Sequence, residues 1–323
     1  MNRTKKVRLV SISFLLVFML ISMLTLYLTV SDTYSVPYIG IGGDDSIDDD
    51  PPNAHDSPGD NFALPAEDGS STVLLDASDI SRGELLLINF ENSYELPDGL
   101  HLVDLSEFKT PSYMVTDGVQ LLSGLVIGPL NEMMDAFFSE TGLDNVSIVS
   151  AFRDNTRQQE IFDSYVALLG VREAERYAAR PGHSEHNAGL AVDFGILSGG
   201  VSKTFYGTGD YFWFFKNSYL YGFIPRYPEH KSDITKTNYE PWHFRYVGVP
   251  HSYFIHQNGL CLEEYMEFVT GFTVNEPYIA TCNGENYEVY FTRDTSIRIP
   301  PGYEHDISGN NIDGFIVTLK PPA

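Results

Sequence analysis

Fourteen residues, Pro181 to Phe194 (PGHSEHNAGLAVDF), constrain this chain more than any other stretch. They hold two histidines, a glutamate and an aspartate, open on a Pro-Gly turn signal, and end in an apolar run suited to a buried strand. Tyr239 to His243 (YEPWH) supplies another acid and another histidine about 50 residues on. A fold for this chain has to account for two short stretches that carry so many metal-ligating side-chain types.

A hydrolytic metal centre needs three nitrogen or oxygen ligands from the protein, an open position for water, and a nearby carboxylate to take that water's proton. His186, Asp193 and His243 suit the ligand positions, which leaves Glu240 as the base. Glu240 precedes Pro241 and is therefore biased to an extended conformation, so the site is not of the helical H-E-x-x-H type. Spacing alone fits a second reading equally: a buried polar cluster in which Asp193 caps a turn and His243 is hydrogen-bonded in the core. Both stay open on the residues alone.

With 44 acidic against 20 basic side chains, the net charge of −24 repels nucleic-acid phosphates and excludes that class of partner. Nothing in the sequence points to a protein partner. A hydrophobic fraction of 43% over 323 residues is enough for a sizeable core. Cys261 and Cys282 form no CxxC pair and lie downstream of both histidine stretches, so sulfur ligation is not expected. A disulfide between them suits an oxidising compartment, and two buried thiols are the alternative.

That compartment is suggested by the N-terminus. Arg3, Lys5, Lys6 and Arg8 precede Leu9 to Val30, an uncharged apolar run long enough to cross a bilayer, with the basic flank on the cytoplasmic side. The run ends in TVSDTYSV rather than at a small-residue cleavage site, so residues 1–30 are expected to form an uncleaved signal anchor. Residues 31–69, rich in Asp, Pro, Gly and Ser, read as an acidic disordered linker. The DDSIDDD run within it lacks the spacing of an EF-hand loop.

Residues 70–265 read as one folded domain and residues 266–323 as a small β-rich appendage. Leu85 to Asn89 predicts a buried strand, and Asp117 to Gly142 a helix interrupted near Gly128 and Pro129. Val146 to Phe152 predicts a strand, Asn155 to Gly170 an amphipathic helix, and Leu190 to Phe194 and Trp242 to Val247 two further strands. Arg153 then sits where a strand end faces a helix start. Glu185 is expected to face solvent and His183 to be a loop residue, while His230, His251 and His256 have no assigned role.

Ser184-x-His186-x-x-Gly189-x-Ala191-x-Asp193, followed by Glu240-Pro241-Trp242-His243, resembles the motif pair of the zinc D-alanyl-D-alanine carboxypeptidases. That group includes vancomycin-resistance D,D-carboxypeptidases and related L,D-carboxypeptidases. The resemblance extends to Ser150-Ala151-Phe152-Arg153, Gln158, Ile161, Phe162, Gly222-Phe223 and Arg226-Tyr227-Pro228, and runs from about Leu85 to Gly248. It implies an α+β fold, with helices packed on a mainly antiparallel sheet that carries one Zn²⁺ on His186, Asp193 and His243. It further implies Glu240 as the catalytic base and Arg153 as partner of the substrate's terminal carboxylate or the developing oxyanion, with Gln158, Ser184 and Tyr227 helping to hold that carboxylate. The expected activity is removal of the terminal D-alanine from peptidoglycan stem peptides by a bacterial, single-pass membrane protein facing outward. L,D-carboxypeptidase or endopeptidase action at the same zinc, and a non-catalytic wall-binding module with a structural zinc, are the alternatives.

Overall fold

The computed structural model describes residues 63–65, 68–116 and 118–322. The apolar run Leu9 to Val30 and most of the acidic linker lie outside the described residues. Among the described residues no helix is long and apolar enough to cross a membrane. Regular structure starts ahead of Ser70, inside the stretch expected to be disordered, because Ala63–Pro65 pairs antiparallel with Ser71–Leu74.

The centre is a six-stranded sheet of β1 (Met114–Val115), β2 (Val146–Ser150), β3 (Ala191–Ser198), β4 (Val201–Thr204), β5 (Phe223–Pro225) and β6 (His243–Tyr246). Its order is β1-β2-β3-β6-β5, with β4 returning along β3. Only the β1/β2 pair is parallel. Alternation along the strands sorts the faces. Val192, Phe194 and Phe244 enter the largest hydrophobic cluster, where Phe194 and Phe244 stack at 4.7 Å. Asp193 and His243, between and beside them, face the other way.

The helix Gly124–Thr141 closes that core with Val126, Ile127, Leu130, Met133, Met134 and Phe137, all buried. It runs through Pro129 without the interruption its sequence predicts. An interior proline costs about 3 kcal/mol or more, whereas each of these six buried side chains contributes about 1.5–3 kcal/mol. Packing outweighs the lost hydrogen bond.

Leu85 to Ile88 is buried as predicted, but the segment through Asn89 joins no ladder. Leu86 and Ile88 point into the first core, Leu85 and Leu87 into a second. The backbone is satisfied elsewhere: Leu85 N donates to Ser308 Oγ and Leu87 N to the Asn310 carbonyl, while the Arg245 guanidinium donates to the carbonyls of Glu84 and Leu86. Periodicity reports the two-sided burial and is blind to who takes the hydrogen bonds.

The second core joins Leu85, Leu87, Ile224 and Val247 to the helix Leu262–Val269 and to Val289, Phe291 and Ile316 of a four-stranded antiparallel sheet. That sheet is built from Tyr278–Cys282, Glu285–Thr292, Glu304–Gly309 and Phe315–Lys320. Ser296–Ile299 leaves it to pair with Ser71–Leu74. The helix Leu262–Val269 runs across the boundary expected at residue 265. Cys261 and Cys282 are both buried free thiols, so the expected disulfide is absent and the alternative holds.

Candidate metal centre

Sheet register builds half of the site. His243 on β6 lies directly opposite Asp193 on β3, and Asp193 lies opposite Ser150 on β2, just past a bulge. Directly opposed residues project from the same face about 4.5–5.5 Å apart. His243 Nδ1 stands 3.0 Å from Asp193 Oδ1 as a result.

The other half is the turn Glu185–Ala188, which ends in Gly189 at φ +65°. A Cβ at Gly189 would come within 2.9 Å of Ser123 N and 2.8 Å of Leu102 Cδ2, so the turn lies flat against the chain beneath it only with glycine there. His186, on this turn, directs Nδ1 at the Ala151 carbonyl at 2.5 Å. A carbonyl can only accept, so Nδ1 carries the proton and Nε2 keeps its lone pair. Nε2 is buried without a hydrogen-bond partner, although Asp193 Oδ2 lies 3.3 Å away. One ligand atom from each of His186, Asp193 and His243 lies within 4.8 Å of the other two, and all three residues are buried. The orphaned Nε2 and the N, O, N donor set are what a bound Zn²⁺ would complete.

Glu240 and Arg153 border this triad. Glu240 Oε2 is 3.8 Å from His243 Nδ1, and its side chain keeps 15% exposure. Arg153 donates from Nη1 to Ser150 Oγ at 2.9 Å and to Asp193 Oδ2 at 3.3 Å. Its Nε donates to Gln158 Oε1 at 3.0 Å, and Gln158 Nε2 donates to the Ala179 carbonyl at 2.7 Å. One end of that buried amide holds Arg153 and the other is anchored on the Ala179 carbonyl. The Tyr227 ring packs 5.0 Å from the His243 ring and Ser184 is buried at the start of the turn. All eight residues singled out by motif therefore lie in one neighbourhood.

The VanY family, described as D-alanyl-D-alanine carboxypeptidase, matches residues 122–249. A D-alanyl-D-alanine carboxypeptidase of Enterococcus faecium is 35% identical over 238 residues, covering 73% of this chain and 69% of that one. The chain belongs to the D-alanyl-D-alanine carboxypeptidase family. Among solved structures, the vancomycin-resistance D,D-dipeptidase VanXYg in complex with a D-Ala-D-Ala phosphinate analogue aligns at TM-score 0.68 and 31% identity, over 78% of this chain and 99% of that one. The LD-carboxypeptidase LdcB aligns at TM-score 0.51 and 35% identity, over 60% of this chain and 89% of that one.

The electrostatics of this carboxypeptidase-family site follow from its burial. Burial lifts the Glu240 carboxyl to about 7; Asp193 and Glu185 push the same way, while His243 and Arg153 oppose. Burial and Arg153 push His186 down to about 4 against the pull of Asp193, which keeps it neutral. For His243 burial is overridden by Asp193 and Glu185, whose hydrogen bonds take it up to about 9. Burial would raise Asp193 as well, but the two histidines hold it well below the usual carboxylate range.

Glu185 is the residue that sequence reasoning misplaced. Rather than facing solvent it is 1% exposed, beside the fully buried Arg226 and Arg245. Arg245 shares a strand face with His243 by the two-residue period, and that was the one available signal. Of the remaining histidines, His183 pairs with the Asn89 carbonyl at 2.8 Å, as suits a loop residue. His251 is buried against Tyr265 OH and Thr318, and His256 stacks on Tyr219.

Proposed function

We propose that this protein is a zinc carboxypeptidase that removes the terminal D-alanine from peptidoglycan stem peptides outside the cell. The observation that carries the reading is the convergence of His186, Asp193 and His243 beside the carboxylate of Glu240 and the guanidinium of Arg153. A zinc ion on those three residues would polarise the scissile carbonyl and acidify a water molecule. Glu240, with its carboxyl lifted to about 7, is matched to taking a proton from the attacking water and returning it to the leaving amine. Arg153, 18% exposed at its side chain, is held through Nε and Nη1 by Gln158, Ser150 and Asp193, which leaves Nη2 to meet a terminal carboxylate. Pinning that carboxylate beside the cleavage point limits the enzyme to removing one residue. Ser184 and Tyr227 complete the pocket around it.

The basic and apolar residues 1–30 are proposed to tether the enzyme to the bacterial membrane, with residues 31–62 as spacer to a wall substrate just beyond it. The likeness to LdcB supports a second reading at the same site, cleavage of tetrapeptides by an L,D-carboxypeptidase. Mass spectrometry of stem pentapeptide and tetrapeptide after incubation with zinc-loaded protein separates the two. Loss of one alanine from the pentapeptide alone is expected. Cleavage of the tetrapeptide alone would move the specificity, and no cleavage of either would favour an endopeptidase or a wall-binding role with a structural zinc.

A further inference from the structure

Beyond Nε2 of His243, the ring nitrogen facing away from Asp193, lies a set of buried charges that the catalytic reading does not use. Glu185 Oε2 faces His243 Nε2 at 3.2 Å. Its other oxygen, Oε1, accepts from Arg226 Nε and from Arg245 Nη1, each at 2.7 Å. Arg226 turns its remaining two nitrogens onto Glu263 as a fork, at 2.9 and 2.7 Å. Glu263 Oε1 also accepts from Asn89 Nδ2 at 3.1 Å. Arg245 spends its other nitrogens on the carbonyls of Glu84, Leu86 and Tyr246. Side chains of Glu185, Arg226 and Arg245 have no exposure at all, and Glu263 has 14%.

We infer that Glu185 is a positioning residue for the metal ligand His243, held in place by a relay through Arg226 and Arg245 to Glu263 and the segment Glu84 to Asn89. The carboxylate accepts the Nε2 proton of His243 and thereby leaves Nδ1, the atom facing Asp193 and Glu240, with its lone pair for the metal. This mirrors how the Ala151 carbonyl fixes His186 with the opposite ring nitrogen outward. Two guanidinium groups on one carboxylate oxygen leave Glu185 no freedom to rotate away.

Stability does not account for the arrangement. Burying each ion costs several kcal/mol, and well-packed apolar replacements of buried ion pairs are often as stable or more so. What apolar side chains cannot do is aim an anionic oxygen at His243 Nε2. The relay also reaches past the family-matched residues 122–249 in both directions, to Glu84, Leu86 and Asn89 before them and Glu263 after. The flanks of this chain are thus part of the support of its metal centre.

The inference rests on the zinc reading, and the test separates the two. Zinc affinity of the full chain is measured by competition with a chromogenic chelator, with folding checked by circular dichroism. The parent is expected to bind one zinc, Glu185→Gln to bind it about 10–100-fold more weakly, and Glu263→Gln to weaken it by about threefold or more through the loosened Arg226. Histidine ¹⁵N spectra of the zinc-loaded proteins are expected to give His243 as the Nε2–H tautomer in the parent. Folded Glu185→Gln binding zinc within about twofold of the parent would overturn the relay, as would an Nδ1–H tautomer in the parent. A parent that binds no zinc would overturn the metal reading itself. Should Glu185→Gln fail to fold, the less buried Glu263→Gln decides, and parental affinity there overturns the inference.

Discussion

His186 and His243 present opposite ring nitrogens to the same point, and their protonation differs accordingly. His186, pushed down to about 4, has no proton to lose near neutrality, whereas His243, raised to about 9, must release one before it can ligate. Zinc binding is therefore expected to weaken by about ninefold when the pH is lowered from 8 to 7. Chelator competition at the two pH values checks this, and pH-independent affinity would contradict it. The sign for the metal-free fold is opposite. A histidine raised from 6.5 to about 9 stabilises the fold fully below 6.5, and that contribution is lost as pH rises through about 9. At this scale the meeting of His186, Asp193 and His243 beside Glu240 and Arg153 was legible from motif. Glu185 was not, because its burial is decided by arginines 41 and 60 residues away, and a charged residue in a polar loop otherwise defaults to solvent.

The elements of the site depend on a flat turn meeting a sheet in register. Gly189→Ala would place a Cβ against Ser123 N and the Leu102 side chain at a backbone conformation unfavourable to alanine. The expected loss is about 1–3 kcal/mol in denaturant unfolding, together with weaker zinc binding because His186 rides on that turn. An unchanged midpoint would show that the turn relaxes freely. The strand carrying Asp193 was legible from the apolar run at Leu190 to Phe194, and the one carrying His243 from the stretch Trp242 to Val247. Continuity of the helix through Pro129 and the ladder-free path of Leu85 to Asn89 were not, because tertiary packing and partners above 150 residues away settle both.

On the scale of the whole molecule, the C-terminal strands are structural partners of the catalytic region. Val289, Phe291 and Ile316 cover Leu85, Leu87, Ile224 and Met266. Three such side chains, at about 1.5–3 kcal/mol each, are a large part of a typical stability of about 5–15 kcal/mol. Deleting residues 271–323 is therefore expected to abolish cooperative unfolding, as followed by calorimetry. A truncated chain with the parent's Tm would make these strands a separable appendage, as their β-rich texture alone suggests. The α+β class and the texture of the C-terminus were legible in the sequence; the pairing of Ser71–Leu74 with Ser296–Ile299 was not, since no local pattern records a partner more than 220 residues away. The central claim is a zinc-dependent carboxypeptidase with Glu240 as base, and release of free D-alanine from a pentapeptide ending in D-Ala-D-Ala tests it most directly. Parent protein stripped with chelator, and zinc-loaded Glu240→Gln, are expected to fall by about 10²–10⁴-fold or more, with zinc restoring only the parent. Equal D-alanine release by parent and Glu240→Gln, or release indifferent to zinc, would contradict the account.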